Sequence, residues 1–398
     1  MTDPCDTVLF VGAQPDRYGA SRMLYRMAAG LVERGVRVTC ALPGDGPMAQ
    51  PLRETGCDVR MAPDIAVLHR RALRTPLGWI ALVRRAVRAS RAFARLCGAV
   101  RPDVVHTNTS VILPSAARAA ARFGAARVQH VREFYGEFGV LWPAYRRLLC
   151  ANADAIVCVS QAVAGQFGGR NVRVNVVHDG FRREDLLRAS EAEARAFRDR
   201  WGIGAEAPLV GIVGRIKSRR KGQDVFLRAA ARLAPRLPAA RFVIVGAPFQ
   251  GNEADAEALR ALSRELGLES RVTWTGELSE TRAAYAAMDV VVAAAVTPEP
   301  FGNTTLEAMV QSRPVVGTAI GGTPEQIEDG VTGLLVPPGS HEALADALAL
   351  LLGDPGRRDA MGRGGREKIE REFGADRMIE RLLGIYAQSR TLAGGSAR

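Results

Sequence analysis

Thr7-Val8-Leu9-Phe10-Val11-Gly12 and Pro208-Leu209-Val210-Gly211-Ile212-Val213-Gly214 are the two stretches that decide the fold. Each is a short apolar run closed by glycine, the pattern of a strand buried on both faces of a parallel sheet. Working outward from the first, Asp16-Arg17-Tyr18-Gly19-Ala20-Ser21 leads into a helix with Leu24, Met27, Ala28 and Leu31 on one face. Gly35 ends that helix, and Val36 to Leu42 is the second strand. Asp103–Thr107, Arg127–Val131, Ala155–Ser160 and Val172–His178 continue the series. From Pro208 the plan repeats, with strands at Arg241–Val245, Val272–Thr275, Val290–Ala295, Pro314–Thr318 and Gly333–Val336. Strands alternating with helical patterns argue βαβ units, hence two open α/β sheets in tandem. The charged, alanine-rich stretch from about 181 to 206 has no strand pattern and holds the junction. The expected organisation is an N-terminal Rossmann-like domain over 1–185 and a second over 186–374. Residues 375–398 then form a C-terminal helix packing back on the first domain, with a frayed tail from Leu392 to Arg398.

A length of 398 residues fits two domains, and 47% hydrophobic with 24% charged residues excludes a disordered or fibrous chain. The longest apolar stretch, Val290 to Val296, is far too short to span a bilayer. Met1-Thr2-Asp3-Pro4-Cys5-Asp6 carries two acids where a signal peptide needs basic residues, so a cytoplasmic location is expected. The six cysteines are scattered without a CxxC pair, which argues against a disulfide framework and a structural zinc site. The net charge of +12 is lopsided. Residues 1–185 hold 26 arginines against 15 acids, whereas the remainder holds 28 basic and 27 acidic residues. The excess points to a partner surface in the first half. Only Lys217, Lys221 and Lys368 are lysines, which singles out the two that lie within five residues.

Ligands on such sheets bind at the carboxyl ends of strands, between the halves. Neither leading strand is followed by GxGxxG, so a dinucleotide cofactor is not indicated. Thr297-Pro298-Glu299-Pro300-Phe301-Gly302-Asn303-Thr304-Thr305-Leu306-Glu307 follows a buried strand and precedes a helix that must end before Pro314. Gly302 allows close approach to a ligand, and Asn303 or Thr304 suits the N-cap. The amides of 303–306 would then form an anion site with Glu299 on one side and Glu307 on the other, each able to accept from sugar hydroxyls. The alternative is a capped helix with two solvated acids. Gly214-Arg215-Ile216-Lys217-Ser218-Arg219-Arg220-Lys221-Gly222 places five cations at a strand end, where they would neutralise a phosphate leaving group.

These two segments resemble the retaining GT-B glycosyltransferases of glycosyltransferase family 4. GR-x(5)-KG near the start of the second half and E-x(7)-E after a VVV strand carry the resemblance. Tyr18-Gly19-Ala20-Ser21 is similar to the family's glycine-rich first loop, and Val177-His178-Asp179-Gly180-Phe181 to its VxNG turn. Gly321-Gly322-Thr323-Pro324-Glu325 and Gly330-Val331-Thr332-Gly333-Leu334-Leu335-Val336 match its late GGxPE and GxTGLLV strings. The resemblance implies a GT-B fold, two Rossmann-like domains facing each other across a cleft, with 1–185 binding the acceptor and 186–374 the nucleotide sugar, and transfer of a sugar from a nucleotide-diphosphate sugar with retention. It implies no metal and no cofactor beyond that donor substrate. Arg215 and Lys221 would grip the diphosphate, Glu299 the transferred sugar and Glu307 the ribose. Gly302, Asn303, Thr304, Thr305 and Leu306 would complete the donor site, and Gly19 and Ala20 would close over the donor phosphates. His130, within Val128-Gln129-His130-Val131-Arg132-Glu133, matches the histidine that faces the reacting sugar. Two departures stand out. Asp179 replaces the usual Asn, a change expected to be structural, and the first loop has one glycine where the family has a pair.

Arg132 and Glu133 either orient acceptor or sugar or pair with each other, and Asn108 at a strand end is a cleft candidate. Glu253-x-Asp255-x-Glu257 reads as a helix first turn, not a metal site. Between Asp64 and Asp103 lie nine arginines and no acid. Pro76 to Cys97 reads as a helix with Trp79, Leu82, Val83, Ala86, Phe93 and Cys97 on one side and Arg84, Arg88, Arg91 and Arg95 opposite. Such a helix could lie on anionic lipid at the inner face of the plasma membrane, or pack on the first sheet with a solvated arginine face. Nucleic acid is disfavoured because no recognition motif accompanies the charge. The leading expectation is a transferase acting on a glycan, lipid-linked or polysaccharide-precursor acceptor. The competing ones are a soluble small-molecule acceptor, a GT-B epimerase or phosphorylase, and a non-catalytic sugar- or lipid-binding relative.

Overall fold

The computed structural model describes residues 5–16, 19–65, 76–109, 115–168, 172–217, 220–248 and 251–395. The chain divides into two compact units: unit 1 comprises Met1–Arg182 with Phe373–Arg398, and unit 2 comprises Arg183–Glu372. Unit 1 holds seven parallel strands: β1 (Thr7–Val11), β2 (Arg37–Leu42), β3 (Asp58–Met61), β4 (Val104–Thr107), β5 (Ala126–Val131), β6 (Ala155–Cys158) and β7 (Arg173–Val176), in the order β3-β2-β1-β4-β5-β6-β7. Unit 2 holds six: β8 (Leu209–Val213), β9 (Arg241–Val245), β10 (Val272–Gly276), β11 (Val290–Ala293), β12 (Val315–Thr318) and β13 (Gly333–Val336), in the order β10-β9-β8-β11-β12-β13. Both leading strands are buried along their whole length, as helices on both sheet faces require. In each sheet the order reverses beside the leading strand, between β1 and β4 and between β8 and β11. Ligands of open α/β sheets settle outside the strand ends at such a reversal.

β3 was not expected from the sequence. Its DVRM run lies at the sheet edge with no residue fully buried, so no apolar pattern marks it. The strand expected to reach Ser160 stops at Cys158, and Ser160 instead caps the next helix by accepting from the Val163 amide. The C-terminal helix runs Ala375–Gly395, so the tail expected from Leu392 is helical through Gly395, with 396–398 outside the described residues. Met378, Ile379, Leu382, Ile385 and Tyr386 of that helix enter the core built by Val8, Phe10, Leu31 and Val38. The chain leaves and re-enters unit 1 at one point, where the Phe181 amide donates to Phe373 O and the Ala375 amide to Phe181 O. Gly180 makes this possible, since a Cβ there would lie 2.8 Å from Ala375 Cα. All six cysteines are free thiols.

Candidate active site

In unit 2 the loop after β8 and the loop after β11 are locked together by glycines. Gly222, at φ 72°, abuts Ala294 so closely that a Cβ would fall 1.8 Å from Ala294 O. Val296 donates its amide to Arg220 O. This brings Lys221 Nζ to 2.6 Å from Glu299 Oε1, so the two residues assigned to diphosphate and sugar are paired with each other. The backbone of Glu299 is clamped from the far side by Gly321 and Gly322. A Cβ on Gly321 would meet Glu299 O at 2.3 Å, and the Gly322 amide donates to the same oxygen. The GGxPE string thus shapes the loop, a role its sequence did not disclose.

The helix Asn303–Val310 starts from Gly302, whose φ 77° and ψ 92° suit only glycine. Gly302 is the N-cap, which corrects the expectation of Asn303 or Thr304. No side chain caps this end, so the first-turn amides stay open to an anion. Lys221, Glu299, Gly302, Thr304, Thr305 and Thr323 line one small cleft there. Leu306 is buried beneath it. Glu307 lies one turn on, where Tyr285 Oη donates to its Oε2 at 3.0 Å. Tyr285, buried in an alanine-rich helix, was missed, although a lone tyrosine among alanines is a visible signal. Arg215 is exposed at the end of β8, its carbonyl held by Gln223 Nε2. Ser218 and Arg219 lie outside the described residues. Among the described residues no cluster of His, Cys, Asp or Glu could hold a metal, and the Glu253 triplet opens the helix Glu253–Glu265.

In unit 1 the carboxyl ends of β1, β4 and β5 converge. Gly19 and Ala20 begin the helix Gly19–Glu33, and Asn108 Nδ2 donates to Ala20 O at 2.7 Å. Ser21 Oγ fixes the preceding loop through Asp16 Oδ1 and Gln14 O. Tyr18 lies outside the described residues. Arg132 does not pair with the Glu133 side chain by charge. Its guanidinium binds Asp179 Oδ1 at 2.5 Å and donates from Nε to Asn108 O, while only its backbone amide donates to Glu133 Oε2. Asp179, the departure from the family's Asn, therefore supplies the counter-charge to a buried arginine. His130 is buried, with Nδ1 3.2 Å from His106 Nε2. His106, missed from the sequence, in turn meets Tyr386 Oη through Nδ1 at 2.6 Å. Burial, helped by the Arg132 charge, pushes His106 down to about 3 and His130 well below the usual histidine range. Four buried polar atoms here have no partner: His130 Nε2, Arg132 Nη2, Asn108 Oδ1 and Thr109 Oγ1. Buried polar atoms without a protein partner call for a ligand, an ion or an ordered water to satisfy them.

The helix Pro76–Val100 buries Leu82, Ala89, Phe93 and Cys97 and exposes Arg84, Arg88, Arg91 and Arg95. Val83 is not on the buried side as expected but 59% exposed, and Leu77, Ile80 and Val87 are exposed with it. The Trp79 side chain lies outside what is described. Among the described residues no helix is long and apolar enough to cross a membrane.

Residues 18–184 match the family described as "Glycosyltransferase Family 4", and residues 207–354 the one described as "Glycosyl transferases group 1". The first match falls on unit 1 and the second within unit 2. The D-inositol 3-phosphate glycosyltransferase of Kribbella flavida is 33% identical over 226 residues, 55% of this chain and 52% of that protein. That of Nocardia farcinica is 36% identical over 222 residues, 54% of this chain and 48% of that protein. The chain spans about half the length of the curated relatives it matches. The Anabaena protein Alr3699/HepE, solved in complex with UDP and glucose, shares the fold with a TM-score of 0.79 at 23% identity, over 95% of this chain and 98% of that one. The two Rossmann-like sheets are those of the GT-B class.

Proposed function

We propose that the chain is a retaining glycosyltransferase that moves a sugar from a nucleoside diphosphate sugar. The observation that carries this reading is the cleft at the β8/β11 reversal, where Lys221 and Glu299 flank the uncapped amides of Asn303–Val310. A diphosphate on those amides would draw Lys221 to itself and release Glu299 to accept from hydroxyls of the transferred sugar. Glu307, oriented by Tyr285, would accept from the ribose hydroxyls. As the bond from C1 to the diphosphate oxygen breaks, Arg215, Lys221 and the amides absorb the growing charge. The acceptor oxygen bonds to C1 on the same face, and its proton passes to the departing phosphate. The cations of the loop supply the charge neutralisation, so the reading needs no metal. The resemblance assigns Gly19 and Ala20 to the donor phosphates and His130 to the reacting sugar. It leaves Asn108, Arg132 and Glu133 as contacts for sugar or acceptor.

For the acceptor, the exposed arginines and exposed Leu77, Ile80, Val83 and Val87 of one helix support a lipid-linked or glycan precursor met at the inner face of the plasma membrane. The names of the curated relatives favour a second reading, a small soluble polyol phosphate. UDP is the first nucleotide to test, because the Anabaena neighbour binds it. Thermal shift with UDP, GDP, ADP and dTDP decides the donor: one nucleotide should stabilise the protein at sub-millimolar concentration. Stabilisation by none of them would overturn the transferase reading.

A further inference from the structure

Tyr386, His106 and His130 form one line of hydrogen bonds through the interior of unit 1. The line runs from Tyr386 Oη to His106 Nδ1 at 2.6 Å, then from His106 Nε2 to His130 Nδ1 at 3.2 Å. All three side chains are buried. One end is unpaired: His130 Nε2 is buried and has no hydrogen-bond partner among the described residues. The other end is closed. Tyr386 lies in the apolar cluster with Val8, Phe10, Leu31 and Ile385, and among the described residues His106 Nδ1 is the hydrogen-bond partner of its hydroxyl.

Each imidazole in the line could carry its proton on either nitrogen, and the closed end decides. A phenol hydroxyl in an apolar core must donate to an acceptor, because an unpaired buried donor is costly. His106 Nδ1 is the acceptor in reach, so it is unprotonated. A neutral imidazole then holds its single proton on the other nitrogen. His106 Nε2–H therefore donates to His130 Nδ1, and the same rule leaves the His130 proton on Nε2. Burial and the nearby Arg132 charge keep both rings neutral.

We propose that Tyr386 is a positioning residue that acts through His106 to fix His130 as a hydrogen-bond donor at Nε2, and so withholds it from service as a general base. The unpaired Nε2–H is matched to an oxygen acceptor, such as a sugar hydroxyl or a phosphate oxygen. Only the identity of that oxygen rests on the glycosyltransferase reading; the proton's place does not.

Two-bond 1H–15N correlation on protein labelled with 15N-histidine reads the tautomer directly, with His130→Gln to assign the signals. At pH 7.5 His130 should show a protonated Nε2 and a bare Nδ1, and a proton on Nδ1 would overturn the proposal. Tyr386→Phe keeps the ring and removes the donor. It should give a mixed His130 tautomer and lower kcat for UDP release from UDP-glucose by roughly tenfold, with KM within about twofold. A His130 tautomer unchanged in that variant would remove Tyr386 from the argument. If Tyr386→Phe fails to fold, the parent spectrum decides alone. Absence of UDP release from both proteins excludes UDP-glucose as the donor, and the imidazole spectra still decide the proposal.

Discussion

Replacing Asp179 by Asn restores the residue that the VxNG pattern of the family has at this turn, yet it should destabilise this protein. Arg132 and Asp179 form an ion pair at 2.5 Å, with both side chains only 8% exposed. Asp179→Asn keeps the shape and an acceptor oxygen but leaves the guanidinium without a counter-charge. Removing one partner of a buried pair costs about 3–5 kcal/mol. The retained amide acceptor and the Nε bond to Asn108 O offset part of that, leaving about 2–3 kcal/mol. For a unit of about 200 residues, each kcal/mol moves the midpoint by roughly 2–4 °C, so the unit 1 transition should fall by roughly 5–10 °C. Calorimetry is the assay, since it resolves two transitions where the units unfold separately. The double variant Asp179→Asn with Arg132→Met should recover much of the loss, giving a coupling energy above about 1 kcal/mol. A unit 1 midpoint within about 1 °C of the parent, or strictly additive effects, would refute the assignment of Asp179 as the partner of a buried charge.

Glu307→Gln should weaken binding of the preferred nucleoside diphosphate by about 1.5–3 kcal/mol, the worth of a charge-assisted hydrogen bond; unchanged calorimetric affinity contradicts the ribose assignment. Lys221→Met should lower turnover by roughly a hundredfold while changing donor affinity far less, because charge on the diphosphate grows toward the transition state. A rise in KM alone would place Lys221 in ground-state binding. Changing Arg84, Arg88, Arg91 and Arg95 together to Gln should abolish flotation with anionic vesicles, and binding by the parent should fall at 1 M salt, where the Debye length is about 3 Å. A parent protein that does not float at low salt rules out the membrane surface. Acid should weaken unit 1 early. His106 binds its proton only near pH 3 when folded but near about 6.5 when unfolded. Stability is therefore complete above about pH 6.5 and falls by about 1.4 kcal/mol per pH unit below it, with His130 acting in the same direction. Urea midpoints at pH 7.5 and 5.0 should differ more for unit 1 than for unit 2, and equal shifts would contradict this.

Most of the strands were legible because both sheets are covered on both faces, which makes the leading strands TVLFV and LVGIV and the VVVA strand nearly continuous apolar runs. β3 was not, since an exposed edge strand with Asp58 and Arg60 carries no such run. The helix Pro76–Val100 was legible in its arginines but misread at Val83, which turns outward with Ile80 and Val87. In unit 2 the motif string located the cleft, but a left-handed Gly302 took the N-cap that side-chain preference gave to its neighbours. The contacts that were missed join residues far apart in sequence. His106 and Tyr386 are separated by 280 positions, and no local periodicity can report their meeting. The same holds for Gly321 against Glu299, where the signal is the absence of a side chain.

Unit 1 is closed by residues that the ribosome makes after all of unit 2. Residues 183–372 form a contiguous block that can fold as it emerges, whereas the sheet of unit 1 must wait for Met378, Ile379, Leu382 and Tyr386 to wall in its core. During synthesis the first half therefore exposes an unfinished apolar face while the second half is translated, a window in which chaperone protection matters most. A stop codon just after residue 373 would then spare unit 2 and unravel unit 1, although no residue of its sheet is lost.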